Sequence, residues 1–142
     1  MGDTMTFEQM NLDKNIIQAL HTLGYEKPLP VQEKVIPNIL LGTDCIVKSR
    51  TGSGKTASFA IPIIQNLEID ERSPQALVLT PTRELALQIQ QDFDRIGTFK
   101  KIKTLPIFGK QPFKFQKEDL KQRCHVVIGT PGRVLDHLQQ QT

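Results

Sequence analysis

Cysteine is scarce in this chain: of 142 residues only Cys45 and Cys124 carry a thiol, and neither has a Cys or His neighbour at metal-ligand spacing. That excludes a cysteine-built metal cluster and offers no disulfide framework; both thiols lie in or beside apolar runs and are expected to be buried, as in a reducing cytosol. Long apolar runs are missing too. None approaches the ~18 residues that a membrane-spanning helix requires, and the N-terminal MGDTMTFEQM lacks the basic-then-apolar layout of a secretory signal. A cytoplasmic setting without a membrane partner is expected. Charge of one sign is in no large excess: eighteen Lys and Arg against fifteen Asp and Glu leave +3, which permits a nucleic-acid partner without requiring one. Internal repeats, low-complexity segments and linkers are absent, so residues 1–142 are expected to form part of a single domain.

What the chain does have is a change of period. Leu12, Ile16, Ile17, Leu20 and Leu23 recur at helical spacing until Gly24 ends the run. A second helical pattern, Val31, Val35, Ile36, Ile39 and Leu40, follows Pro28-Leu29-Pro30 and stops at Gly42, with Pro37 expected to kink or break it late. Then Cys45-Ile46-Val47, Ala76-Leu77-Val78-Leu79 and His125-Val126-Val127-Ile128 form short, nearly continuous apolar runs, the pattern of strands covered on both faces. A weaker run over 104–108 is interrupted by Pro106, which assigns it to an edge or a bulge. Helical patterns at 56–67, 82–96 and 113–121 lie between them. Strands alternating with helices predict an α/β fold: a parallel sheet with flanking helices and right-handed crossovers.

Ser49-Arg50-Thr51-Gly52-Ser53-Gly54-Lys55-Thr56 lies between the first of these runs and a helical pattern, the context that a phosphate-binding P-loop requires. Successive backbone N–H groups and the positive helix end hold phosphate oxygens, and glycines let the backbone approach without a Cβ in the way. Lys55 would reach the β- and γ-phosphates, and Thr56 would place its hydroxyl on Mg²⁺. Ser49 stands where the general pattern has glycine, a position that a small residue can fill. Such a loop does not choose the base. Upstream, the stretch from Gly24 through Tyr25 and Lys27 ends in Gln32 at a helix start. A carboxamide offers the donor and acceptor that pair with adenine N6 and N7, where guanine presents the wrong pattern. Phe7 or Tyr25 could stack on the ring. Taken alone, Gln32 reads as a solvated helix residue and Phe7 as a core or capping aromatic.

Two further segments follow strands: Pro81-Thr82-Arg83-Glu84-Leu85-Ala86 and Thr130-Pro131-Gly132-Arg133. With the glutamine segment and the Thr-Gly-Ser-Gly-Lys-Thr loop, in this order, they resemble the DEAD-box family of ATP-dependent RNA helicases from about Phe7 to the C-terminus. The resemblance implies the first RecA-like helicase domain, with ATP and Mg²⁺ as cofactors and RNA as partner. It implies that Phe7, Tyr25, Lys27 and Gln32 serve the adenine-reading segment at 7–32, and that Ser49 to Thr56 form the nucleotide loop, with Lys55 and Thr56 as its catalytic members. Pro81, Thr82, Arg83, Gly109, Lys110, Thr130, Pro131, Gly132 and Arg133 would hold the RNA sugar-phosphate backbone. Thr82 and Thr130 can each cap the helix that follows, and Arg83 and Arg133 supply forked cationic donors, contacts that carry little base information.

The chain also departs from the family pattern. Lys110 stands where a second glycine is usual, Arg50 where glutamine is common and Ser49 where alanine is; Lys110 would either add a phosphate contact or block close backbone approach. The stretch around Gly109 also looks like bacterial rRNA-directed members. The Lys100-Lys101-Lys103 cluster reads as a solvated charge run, with an extension of the RNA path as the alternative. The family's Asp-Glu-Ala-Asp and Ser-Ala-Thr segments and its second RecA-like domain do not occur within these residues. The chain alone is therefore expected to bind nucleotide without efficient hydrolysis, with the second domain as a partner in the parent protein. A sheet short of strands is expected to favour self-association. A short protein that binds nucleotide or RNA without catalysis is the alternative. A P-loop kinase or GTPase would leave Gln32 and the Thr130-to-Arg133 segment unexplained.

Overall fold

Six α-helices and three β-strands make up residues 5–142, which the computed structural model describes, and they divide between two compact units. The first unit, residues up to Asn66 together with Arg95–Lys100, is helical. Its helices are α1 (Lys14–Thr22), α2 (Pro30–Leu40) and α3 (Lys55–Asn66). The end of α1 follows from Gly24, whose φ of +81° lets its own amide and that of Tyr25 turn back to the His21 and Leu20 carbonyls at 3.0 and 2.8 Å. Pro37 sits inside α2, which continues to Leu40 without a break. Phe7, Ile16, Leu20, Ile36, Ile61 and Ile64 are fully buried in this unit.

Lys100 belongs to this core more than to the surface. Its Nζ donates to the Ile64 and Gln65 carbonyls at 2.7 and 3.0 Å, at the C-terminal end of α3, and lies 3.3 Å from Asp13 Oδ2. The negative end of a helix favours a cation there. The expected solvated charge run is thus corrected at Lys100, while Lys101 and Lys103 are exposed. A second correction concerns Cys45-Ile46-Val47. Residues 43–50 form no strand, and Cys45 and Ile46 are exposed. A strand exists only through the hydrogen bonds of a neighbour, and among the described residues of this unit there is no strand to supply them. The Cys45 thiol, expected to be buried, is exposed for the same reason.

The second unit, Leu67–Asp94 with Lys101–Thr142, holds the sheet. In chain order its elements are β1 (Ala76–Leu79), α4 (Arg83–Ile96, whose last two residues fall in the first unit), β2 (Thr104–Ile107), α5 (Phe113–Leu120), β3 (Val126–Gly129) and α6 (Pro131–Gln139). The strands are parallel in the order β1-β3-β2, with Val126 opposite Ala76 and Thr104, and Gly129 opposite Leu79 and Ile107. Central β3 is buried throughout, as its unbroken apolar run requires, and β2 with Pro106 lies at an edge. Ile107, Cys124, Val127 and Val134 pack together with Leu105 and Leu120 beside them. Burial pushes the Cys124 thiol up to about 11. Buried His125 ties the starts of β2 and β3 to the preceding loop: its Nδ1 accepts from the Lys103 amide at 2.8 Å, which leaves the proton on Nε2 to be donated to the Ile69 carbonyl at 2.9 Å. No helix among the described residues is long and apolar enough to cross a membrane.

Candidate nucleotide loop and strand-end loops

In the first unit α3 begins at Lys55, directly after a turn in which Gly52 and Gly54 take φ of +81° and +89°. Glycine adopts these values without the penalty that a Cβ brings. The Ser53 amide closes the turn on the Arg50 carbonyl at 3.3 Å, and the Ser49 and Ser53 hydroxyls meet at 2.6 Å. Lys55 Nζ donates to the Ser49 carbonyl at 2.5 Å, so the ammonium lies over the loop itself. Gln32 is 3% exposed; its Oε1 accepts from the Leu29 amide at 2.9 Å and its Nε2 donates to the Gly54 carbonyl at 3.3 Å. A base-reading candidate and the phosphate-loop candidate are therefore joined. A Cβ on Gly54 would lie 2.6 Å from that Nε2 and 2.7 Å from Leu29 Cδ1.

The remaining nucleotide candidates are less uniformly placed. Phe7 is 1% exposed and its ring belongs to the core. Tyr25 is half-buried at the end of α1, Lys27, Arg50 and Thr51 are exposed, and Thr56 is half-buried in the first turn of α3. The first-turn N–H groups of any α-helix lack intrahelical partners, which leaves the start of α3 suited to an anion.

In the second unit the loops after all three strands leave the same edge of the sheet, because the strands are parallel. Thr82 caps α4, its hydroxyl accepting from the Leu85 amide at 3.2 Å. Thr130 does not cap α6 with its side chain, contrary to expectation; Pro131 at the first helical position presets the helical φ instead, and the Thr130 amide donates to the Ile107 carbonyl at 2.9 Å. The Arg83 guanidinium lies 4.8 Å over the ring of Phe108, next to Gly109. Arg133 faces inward: Nη1 donates to the Gln111 carbonyl at 2.8 Å and to Gln116 Oε1 at 3.0 Å, and the side chain is 16% exposed. Its fork holds the loop after β2, where a free cationic donor was expected. Pro81, Pro131 and Gly132 are exposed. A Cβ on Gly109 or Gly132 would meet nothing within 4 Å, so neither glycine answers to internal crowding.

Lys110 has φ of +66°, the left-handed region, which explains why a glycine is at home there. We expect Lys110→Gly to stabilise the chain by about 0.5–1 kcal/mol, the left-handed penalty less the added backbone entropy, read as a raised denaturant midpoint. A lowered midpoint would mean that the Lys110 side chain itself holds the loop.

Two polar residues that the sequence does not flag are buried beside these loops, Gln116 on α5 and His137 on α6. The signal available was a glutamine on the inward face of a helix otherwise edged with lysines. Burial first, and Arg133 second, hold the His137 imidazole below its usual range.

A glycine-rich turn leading into a helix and an α/β unit whose strand-end loops share one edge are features of the RecA-like class of fold. The family model described as DEAD/DEAH box helicase matches residues 29–142. The chain belongs to that family. It is 53% identical over 136 residues to the ATP-dependent RNA helicase DbpA of Bacillus subtilis, covering 96% of this chain and 28% of that protein. It is 41% identical over 137 residues to the DEAD-box ATP-dependent RNA helicase CshA of Geobacillus kaustophilus, covering 96% and 29%. The chain thus spans between a quarter and a third of the length of these relatives. Its fold matches the crystal structure of a DEAD box protein from the hyperthermophile Methanococcus jannaschii with a TM-score of 0.91 at 41% identity, over 99% of this chain and 38% of that one.

Proposed function

We propose that this chain is the ATP- and RNA-binding portion of an RNA helicase that couples ATP binding and hydrolysis to the opening of short RNA duplexes. The observation that carries the reading is the Gln32–Gly54 hydrogen bond at 3.3 Å, which links a carboxamide able to select adenine to the loop that would receive its phosphates. The residues present fit both cofactors. Gly52 and Gly54 keep the loop backbone free of Cβ atoms at left-handed φ, Lys55 already lies over the loop, and Thr56 at the head of α3 would give Mg²⁺ one oxygen, with the rest of its shell from phosphates and water. Bound ATP would supply the phosphoryl group whose transfer drives the cycle. RNA would lie along the strand-end loops of the second unit, held by backbone amides and Arg83.

The test is a fluorescence titration of the chain with labelled ADP and GDP in the presence of Mg²⁺. Adenine-selective binding is expected. Lys55→Ala should weaken both nucleotides at least tenfold, and Gln32→Ala should erase the base preference. No nucleotide binding by the folded chain would refute the reading for these residues.

A further inference from the structure

Gln116 sits between the end of β2 and the first turns of α6. It is 3% exposed, and its carboxamide is used on both sides: Nε2 donates to the Phe108 carbonyl at 2.8 Å, while Oε1 accepts from Arg133 Nη1 at 3.0 Å and lies 3.1 Å from His137 Nε2. Each contact reaches a different part of the edge. Phe108 precedes Gly109 and Lys110 and carries Arg83 over its ring at 4.8 Å; Arg133 ends the Thr130-to-Arg133 loop and also holds the Gln111 carbonyl at 2.8 Å. Phe113 stacks on His137 with centroids 4.1 Å apart, and the Arg133 guanidinium carbon lies 5.7 Å from the centroid of the Phe113 ring. An oxygen that accepts from a guanidinium and from an imidazole N–H at once has one arrangement that satisfies all partners. His137 supplies that N–H in its Nε2–H tautomer, with Nδ1 2.7 Å from a Thr142 hydroxyl that also reaches the His137 carbonyl at 3.2 Å.

We infer that Gln116 is a positioning residue: with Arg133 and His137 it locks the loop of residues 109–112 to residues 130–133 at the start of α6, so that the two present one surface to an RNA backbone. The RNA half of this inference rests on the function proposed above, and the locking half does not. Arg133 then acts through the two inward hydrogen bonds of its Nη1 and not through its charge alone. A lysine would keep the charge, but its side chain ends one bond short of the place where Nη1 bonds both Gln111 and Gln116.

The experiment combines peptide-level hydrogen exchange with fluorescence anisotropy on a labelled single-stranded RNA, using the 142-residue chain and its variants Gln116→Ala, Gln116→Glu and Arg133→Lys. Gln116→Ala should speed exchange in both 109–112 and 130–133, leaving β3 and residues 49–56 unchanged. It should also weaken RNA roughly tenfold, the factor that loss of one charge-assisted hydrogen bond corresponds to, and flatten the salt dependence although no charge is removed. Nucleotide affinity should not move. Gln116→Glu keeps the acceptor for Arg133 but loses the donor to the Phe108 carbonyl, so it should recover at most part of the RNA affinity; Arg133→Lys should behave like Gln116→Ala. Unchanged exchange in either loop of a folded Gln116→Ala chain would overturn the inference, as would full RNA affinity in Arg133→Lys. If the parent chain binds no RNA, the RNA reading fails, and exchange alone decides whether the two loops are locked.

Discussion

Alanine at Gly54 is expected to lower nucleotide affinity at least a hundredfold, whereas alanine at Gly52 should cost far less. Both glycines have left-handed φ, +81° and +89°, so each substitution carries a backbone penalty of about 1–2 kcal/mol. Only Gly54 is crowded. Its new methyl would lie 2.6 Å from Gln32 Nε2 and 2.7 Å from Leu29 Cδ1, and nothing lies within 4 Å at Gly52. The methyl must push the very carboxamide that donates to the Gly54 carbonyl, so Gln32 and the 49–56 loop move together. Overpacking of this kind costs about 1–3 kcal/mol more, and a factor of a hundred in affinity needs about 2.7 kcal/mol. Titration of both variants with labelled ADP gives the comparison. Equal losses would show that backbone strain alone governs the loop.

The second large effect is expected at Gly129, where alanine should destabilise the second unit by about 3 kcal/mol. Here φ is ordinary and the obstacle is atoms: a Cβ would lie 2.5 Å from the Ile107 carbonyl oxygen, 2.7 Å from Val134 Cγ2 and 3.3 Å from Ile107 Cβ. The Ile107 oxygen cannot swing away cheaply, because it already accepts from the Thr130 amide at 2.9 Å. Relief requires parting β2 from β3 or lifting α6, either of which opens the cluster of Ile107, Cys124, Val127 and Val134. Urea unfolding of the variant measures the loss. An unshifted midpoint would mean that β2 and α6 yield more readily than their packing implies.

The helices of this protein were legible because their signals are local. Apolar spacing with Gly24 and Gly42 as stops marks α1 and α2 to within two residues, and Pro106 identifies β2 as an edge strand without reference to any other segment. The run Cys45-Ile46-Val47 misleads because a continuous apolar stretch reports a wish for cover on two faces and says nothing about whether a neighbour exists to pair with it. Lys100 misleads in the opposite direction: three lysines in four residues look solvated, and only the distant carbonyls of Ile64 and Gln65 reveal one of them as a helix cap. Within the candidate site, the turn over 49–54 and the helix after it could be named from residue type and spacing, whereas Gln32, which taken alone reads as solvated, is buried because both ends of its carboxamide are bonded to Leu29 and Gly54. The inward turn of Arg133 could not, since its partners Gln111 and Gln116 lie 22 and 17 residues away and a single arginine carries no mark of which way it faces.

The contact between Lys55 Nζ and the Ser49 carbonyl makes ligand capture an exchange. The side chain of a free lysine samples many rotamers, and freezing it on a phosphate carries an entropic cost of up to about 2 kcal/mol. In this loop that ordering has already happened, so under the proposed function a phosphate would inherit a lysine that is aimed and would need only to displace one carbonyl dipole. A nucleoside would bring no such charge and would leave the latch closed, so the loop itself would sort phosphorylated from unphosphorylated ligands before any base is read.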